Sequence, residues 1–369
     1  MGRCLHLCLD AFTLGPGAVS QTLTDIFTLP AHGPVAQRVL RQLARWNAFI
    51  LRYSGVVLYY YLVQPFLLLS YFYEDMYLCS ATDTVVSTAV VLLISVAFCV
   101  MVHLTAHRYF AHNSYSAPRA VQLLLGVVGA AAGQNGPLEW ASVHARHHRH
   151  CDEVRDPHSP MQRGLFEAHV LWLVRPENCL IEPNQLRANI VACPELVLCD
   201  VFSIELHAFL LLSLGSLLAR LLPVCLHADL IIQLAWVISL HSTSLTNSLC
   251  HSRRHFTGSQ GHKSPAECDA LDLHWVALLN GGEGLHRYHH SNPRCAHHGF
   301  RSGGIDLVYA CICIMERIGL VSRVCHAATR DTDASASFMF EKVVGHHVDK
   351  ERSRKDDDLN DDAEKKKKA

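Results

Sequence analysis

Three short stretches of this chain concentrate imidazole at spacings that suit metal ligation. They read HRYFAH at 107–112, HARHH at 144–148 and HRYHH at 286–290. The last two share the spacing H-x-x-H-H. With 26 histidines among 369 residues, chance supplies roughly 0.1 such matches in the whole chain. On a helix, positions i, i+3 and i+4 lie on one face, so each stretch can aim three imidazoles at one point. Neutral imidazole suits zinc, copper, iron and nickel. These eight histidines (His107, His112, His144, His147, His148, His286, His289, His290) exceed what one ion needs, so two metals fit better. The first stretch is different. Its i, i+5 spacing is about 140° round an α-helix, which predicts that His107 and His112 serve different metals.

The elements that must position these groups are apolar. Half of the residues are hydrophobic and 18% are charged, below the roughly 25% of soluble domains, which points to a membrane. Four stretches are long enough to span one, at about 55–73, 85–104, 201–222 and 230–248. The first holds Pro65 and carries tyrosines at both ends, as an aromatic belt places them. A fifth apolar run, 120–133, is too short and reads as a buried or re-entrant segment. HRYFAH begins where the second span stops. HARHH follows a Gly136-Pro137 turn. HRYHH follows the glycine-rich NGGEG, where backbone can approach a site closely. The fourth span runs into TNSLCH, with Asn247 and His251 one turn apart, so His251 is a candidate ninth ligand.

Charge bias orients the spans. The loops EDMYLCSATDT and PVCLHAD contain no Lys or Arg, whereas the segment before the first span, the middle segment 105–200 and the C-terminal region are rich in them. The positive-inside rule puts both termini and all three histidine stretches on the cytosolic side. A net charge of −1 gives no global field for nucleic acid. The fifteen cysteines are scattered without a C-x-x-C pair, which predicts reduced thiols rather than a disulfide scaffold. Cys79 and Cys225, in the two short lumenal loops, are the exception in which a bridge could persist. Residues 1–45 read as a leader that is neither a signal peptide nor a myristoylation site.

Blander readings apply to other histidines. His103 reads as structural, and His241, inside a span, must face protein or a cavity and reads as packed or hydrogen-bonded. His150, His158, His169, His297 and His298 flank the clusters and read as supporting or surface residues.

Taken together, HRYFAH, EWASVHARHH followed by DPHSP, NSLCH and GEGLHRYHH resemble the membrane fatty-acid desaturases of the acyl-CoA (stearoyl-CoA, delta-9) type, in order, from about residue 50 to 325. The resemblance implies an all-α integral membrane protein, with four transmembrane helices and a cytosolic helical cap holding a histidine-ligated di-iron centre. It implies a domain at 46–326. By position, the iron ligands are His107, His112, His144, His147, His148, His251, His286, His289 and His290, and Asn247 approaches one iron through water. Asn135 and Arg175 are the candidate headgroup contacts. Animal members carry charges just before the second box, where this chain has Ser142 and Val143, so the acyl carrier is left open between CoA and a lipid. The implied reaction is oxygen-dependent insertion of a cis double bond, expected at delta-9, into a long-chain acyl group. That chemistry needs a redox metal, because no side-chain acid or base removes hydrogen from an unactivated methylene. No H-P-G-G haem motif occurs, so a separate donor is expected, cytochrome b5 with its reductase or a ferredoxin. A di-iron lipid hydroxylase would use similar boxes. A metal carrier would place its ligands at mid-membrane, and a soluble carboxylate di-iron protein would show Glu-x-x-His pairs. Residues 327–369 are charged and low in apolar content, which predicts disorder. Their final KKKA fits a dilysine retrieval signal, so the expected location is the endoplasmic reticulum membrane.

Overall fold

In the computed structural model, the described residues are 80–175, 193–221, 228–252 and 268–326, with isolated positions at 66, 69, 70, 73, 178, 186, 187 and 190. The leader 1–45, the tail 327–369 and the Cys79–Cys225 pair lie outside them, as does nearly all of the expected span 55–73.

Helix α1 (Ala81–Val102) starts at Ser80. The Ser80 hydroxyl accepts from the Asp83 N–H, while the Asp83 carboxylate accepts from the Ser80 N–H, a reciprocal cap. The helix continues without a break into a π-helical segment, His103–Ala111. Then follow α2 (Arg119–Ala131), α3 (Pro137–Arg149), the short α4 (Pro160–Arg163) and α5 (Leu165–His169), and α6 (Pro194–Val201). Two long helices come next, α7 (Ser203–Leu221) and α8 (Ala228–Ser248), before α9 (His274–Asn280), α10 (His286–Ser291) and α11 (Leu307–Arg317).

Among the described residues, three helical stretches are long and apolar enough to cross a membrane: Thr82–Ala111, Ser203–Leu221 and Ala228–Ser248. They coincide with the second, third and fourth expected spans. The fifth apolar run is the 13-residue α2, packed against α7 and too short to span. Helix α7 exposes Phe209, Leu212 and Leu221, and α1 exposes Val85 and Leu93. A water-soluble helix would bury such side chains, whereas lipid solvates them.

Helix α8 is held differently. Ala235, Ser239, Ser242 and Thr246 are buried and recur at helical spacing on one side. Small residues let helix backbones approach closely in lipid, where no hydrophobic force drives helices together. The serine hydroxyls bond back to their own helix, Ser239 to the Trp236 carbonyl at 2.7 Å and Ser242 to that of Ile238 at 2.8 Å. Across the interface Cys99 Sγ lies 3.6 Å from the Ser239 carbonyl and His103 Nε2 lies 3.5 Å from Thr243 Oγ1. Both pairings advance together, so α1 and α8 run in the same direction and finish at the same end of the bundle. That shared end is where α3, α9 and α10 assemble.

Candidate metal centre

The π segment changes the geometry expected of the first histidine stretch. The His112 N–H donates to the His107 carbonyl at 3.0 Å, an i to i+5 bond. In a π turn residues five apart stack over one another, and the rings of His107 and His112 are 4.7 Å apart, centre to centre. The expectation that they serve different metals is therefore corrected: both face one site, because the helix here has the wider period.

Helix α3 is positioned by a cap from outside itself. Both carboxylate oxygens of Asp200 accept from its first free N–H groups, Leu138 at 3.1 Å and Glu139 at 3.0 Å. This requires Gly136, since a Cβ there would collide with Asp200. So held, α3 presents His144, His147 and His148 on its last turns. Helix α10 presents His286, His289 and His290, and His251 stands just past the end of α8.

The nine histidines divide into two adjoining groups. His107, His112, His144, His148 and His289 form one, with their ligand nitrogens within 4.8 Å of one another. Its closest approaches are His112 to His144 at 2.8 Å, His148 to His289 at 3.0 Å and His107 to His289 at 3.2 Å, all between Nε2 atoms. In the other group, His286 Nε2 lies 3.0 Å from both His251 Nε2 and His290 Nε2, and His147 Nε2 lies 3.3 Å from His290 Nε2. Trp140 stacks on His144 at 4.8 Å and covers the first group. Asn247 is half-buried on α8, four residues before His251.

Carboxylates stand behind the rings. Glu283 lies 2.8 Å from His107 Nδ1, Asp156 lies 3.0 Å from His147 Nδ1, and Asp152 lies 3.5 Å from His251 Nδ1. A carboxylate at Nδ1 keeps the proton there and leaves Nε2 as a bare lone pair. Lone pairs then converge on lone pairs, an arrangement that a cation between them satisfies. The donor set therefore fits two metal ions.

Electrostatics favours the neutral ligands. Burial pushes His112, His144, His148, His286, His289 and His290 well below the usual imidazole range, and the neighbouring imidazoles add to the shift. Burial alone would raise Glu283, but Arg108, His298 and His107 outweigh it and hold the carboxyl well below its usual range. Asp156 behaves likewise, with His147 and His158 overcoming burial.

Several contributors escaped the sequence reading. Arg108 is fully buried and pairs with Glu283 at 2.8 Å and Asp306 at 2.9 Å. His298, read from sequence as a supporting or surface residue, is buried, with Nδ1 3.2 Å from Glu283. A signal existed for Arg108: an ionised side chain at the end of an apolar span needs a functional partner. The candidate headgroup residues engage separate carboxylates, Asn135 donating to Glu139 at 3.1 Å and Arg175 pairing with Glu167. His169 and His241 stack on each other, His158 packs on His147, and His297 lies flat on Tyr309. His150 pairs with Glu153. Among the described cysteines, Cys151 and Cys268 form a disulfide, where the sequence reading expected reduced thiols outside the Cys79–Cys225 pair. Their separation of 117 residues gives no pairing signal in sequence.

Comparison with known proteins agrees with this geometry. The sequence matches the fatty acid desaturase family over residues 84–302, more than half of the chain. It belongs to that family. Related proteins include one named "Probable lipid desaturase ADS3.2, chloroplastic" from Arabidopsis thaliana, 31% identical over 61% of this chain and 60% of its own length. The sn-1 stearoyl-lipid 9-desaturase of Anabaena variabilis is 29% identical over 59% of this chain and 76% of its own. The acyl-CoA 5-desaturase AL21 of Anemone leveillei is 29% identical, covering 60% and 66%. The chain thus spans about three fifths of the length of the Arabidopsis relative. The family match spans the described histidine-bearing helices, whose clusters suit a metal centre.

Proposed function

We propose that this protein is an oxygen-dependent fatty acyl desaturase that inserts a cis double bond, at delta-9, into a long-chain acyl group. The observation that carries the reading is the pair of adjoining histidine groups with carboxylates behind their Nδ1 atoms, at the shared end of two long apolar helices. The metals are two irons, held by His107, His112, His144, His148 and His289 on one side and by His147, His251, His286 and His290 on the other. Asn247, four residues before His251, would reach one of the irons through water. Iron with dioxygen supplies the oxidising power to remove hydrogen from an unactivated methylene. The chain's own part is to fix ligand orientation through Glu283, Asp152 and Asp156, and to keep the site dry. Electrons come from a separate donor, cytochrome b5 with its reductase or a ferredoxin.

The topology that follows has four spans, a cytosolic helical cap and both termini in the cytosol, with the endoplasmic reticulum as the location. Expression in a desaturase-deficient cell, with double bonds located by mass spectrometry, tests the function. A hydroxylated product, or no new unsaturation from a metal-loaded protein, refutes it.

A lipid-linked acyl chain is the second reading of the substrate. Ser142 and Val143 are buried in α3 and offer no charge to a CoA phosphate, while Arg175 is engaged by Glu167. Supplying labelled acyl-CoA and labelled phospholipid to the same membranes separates the two carriers.

A further inference from the structure

Cys151 and Cys268 sit directly behind the four-histidine group. Their Cα atoms are 5.7 Å apart, within the range that a disulfide spans without backbone movement. Cys151 Sγ lies 3.7 Å from His251 Nδ1, and Cys268 Sγ lies 3.6 Å from the same nitrogen and 3.3 Å from His290 Nδ1. Each cysteine adjoins an acid of the same shell. Asp152 follows Cys151 and faces His251 Nδ1 at 3.5 Å; Asp269 follows Cys268, and its N–H donates to Asp152 at 2.8 Å. Asp152 also accepts from Ser159 Oγ at 3.0 Å. The covalent link therefore closes a short ring, Cys151–Asp152–Asp269–Cys268, that holds one carboxylate against one ligand. Both cysteines are half-buried, beside the exposed Glu153, Val154 and Arg155, whereas Cys99 and Cys250 are fully buried. The pair is therefore less deeply buried than those two cysteines.

We propose that Cys151 and Cys268 form a redox-sensitive clamp that tightens the four-histidine site when oxidised and loosens it when reduced. The inference rests on the metal-binding reading of that site. In the oxidising direction two S–H groups give up two protons and two electrons, the S–S bond forms, and hydrogen peroxide is reduced to two waters. In the reducing direction a dithiol donates two protons and two electrons, the S–S bond breaks, and the dithiol becomes its own disulfide. With the link open, nothing covalent holds Asp269 at Asp152; the Ser159 hydroxyl still holds one carboxylate oxygen, but the oxygen that faces His251 is less firmly placed. Loss of such outer contacts lowers metal affinity by about 10- to 100-fold.

The test uses the full chain. Membranes are treated with hydrogen peroxide and alkylated before solubilisation, then reduced and labelled with a second reagent for peptide mapping. Cys151 and Cys268 are expected to take only the second label; both taking the first overturns the proposal. Purified protein, oxidised or reduced with a phosphine, is then exposed to EDTA and its iron counted. The reduced form is expected to lose about half of its iron at a chelator concentration 10- to 100-fold lower than the oxidised form. The double variant Cys151→Ser, Cys268→Ser should respond identically under both conditions. Equal retention by oxidised and reduced wild type overturns the clamp. A mapped disulfide in a protein that binds no iron in either form overturns the metal-site reading and leaves the cysteine pairing standing.

Discussion

Glu283→Gln asks whether the carboxylate behind His107 sets the metal-binding tautomer. Glutamine fills the same volume, so packing is kept and one negative charge is removed. That charge now faces His107 Nδ1 at 2.8 Å, Arg108 Nη2 at 2.8 Å and His298 Nδ1 at 3.2 Å. An amide satisfies Arg108 only with its oxygen, which turns its NH2 toward His107 Nδ1. The imidazole proton then moves to Nε2, and that nitrogen no longer accepts a cation. Outer partners of this kind are worth about 10- to 100-fold in metal affinity, or about 1.4–2.7 kcal/mol. Stability should fall as well. Removing one partner of a buried ion pair costs about 3–5 kcal/mol when the other is stranded. Arg108 is not stranded, because both Asp306 oxygens remain at 3.0 and 2.9 Å, so a loss of about 2 kcal/mol is expected. Chelator titration with metal counting measures the first quantity, and unfolding of metal-free protein in detergent the second. A variant that unfolds more easily yet holds its metal like wild type would refute the tautomer argument.

Four further outcomes are expected. His289→Ala and His147→Ala each remove a ligand from a different group and should abolish activity with loss of metal; an active, fully loaded variant of either contradicts the assignment. Metal-free protein should lose stability as pH falls below about 6.5, where the unfolded chain's histidines take up protons. The six depressed imidazoles of the folded site do not, and a melting temperature flat between pH 8 and 5.5 would sink this. Glycosylation tags in 74–84 and 223–229 should be modified, and one in 150–190 should not; modification of the last overturns the topology. If Cys79 and Cys225 are bridged, neither alkylates before reduction, and labelling of both under native conditions excludes the bridge.

The histidine clusters and the three long helices among the described residues were legible because both are written in one-dimensional periods. H-x-x-H-H specifies a helix face, and a run of about twenty apolar residues specifies a span. The residues that orient the ligands carry no such period. Glu283 meets Arg108 across 175 positions and Asp306 meets it across 198, and Cys151 meets Cys268 across 117. These contacts join segments far apart in sequence at the end of the bundle where α1 and α8 both finish. On the stripe of Ala235, Ser239, Ser242 and Thr246, the Ser239 carbonyl meets Cys99 of α1, while the Ser242 carbonyl and the Thr246 hydroxyl accept from the Asn280 amide of α9. Its significance in lipid is therefore closeness and hydrogen bonding rather than apolarity.

The i, i+5 spacing of His107 and His112 separates what periodicity states from what it assumes. Read with 3.6 residues per turn it divides the two rings by about 140°; read with the five-residue bond between the His112 N–H and the His107 carbonyl it stacks them. A π turn is rare and is retained mostly at functional sites. Here it accommodates two demands on consecutive residues. His107 must face the other imidazoles, and Arg108 must reach Glu283 and Asp306. The same Glu283 carboxylate meets both residues, one through each oxygen. One acid thereby fixes the tautomer of a candidate ligand and neutralises the buried cation beside it. The wider helix and the buried ion pair are two parts of one device for holding that ring.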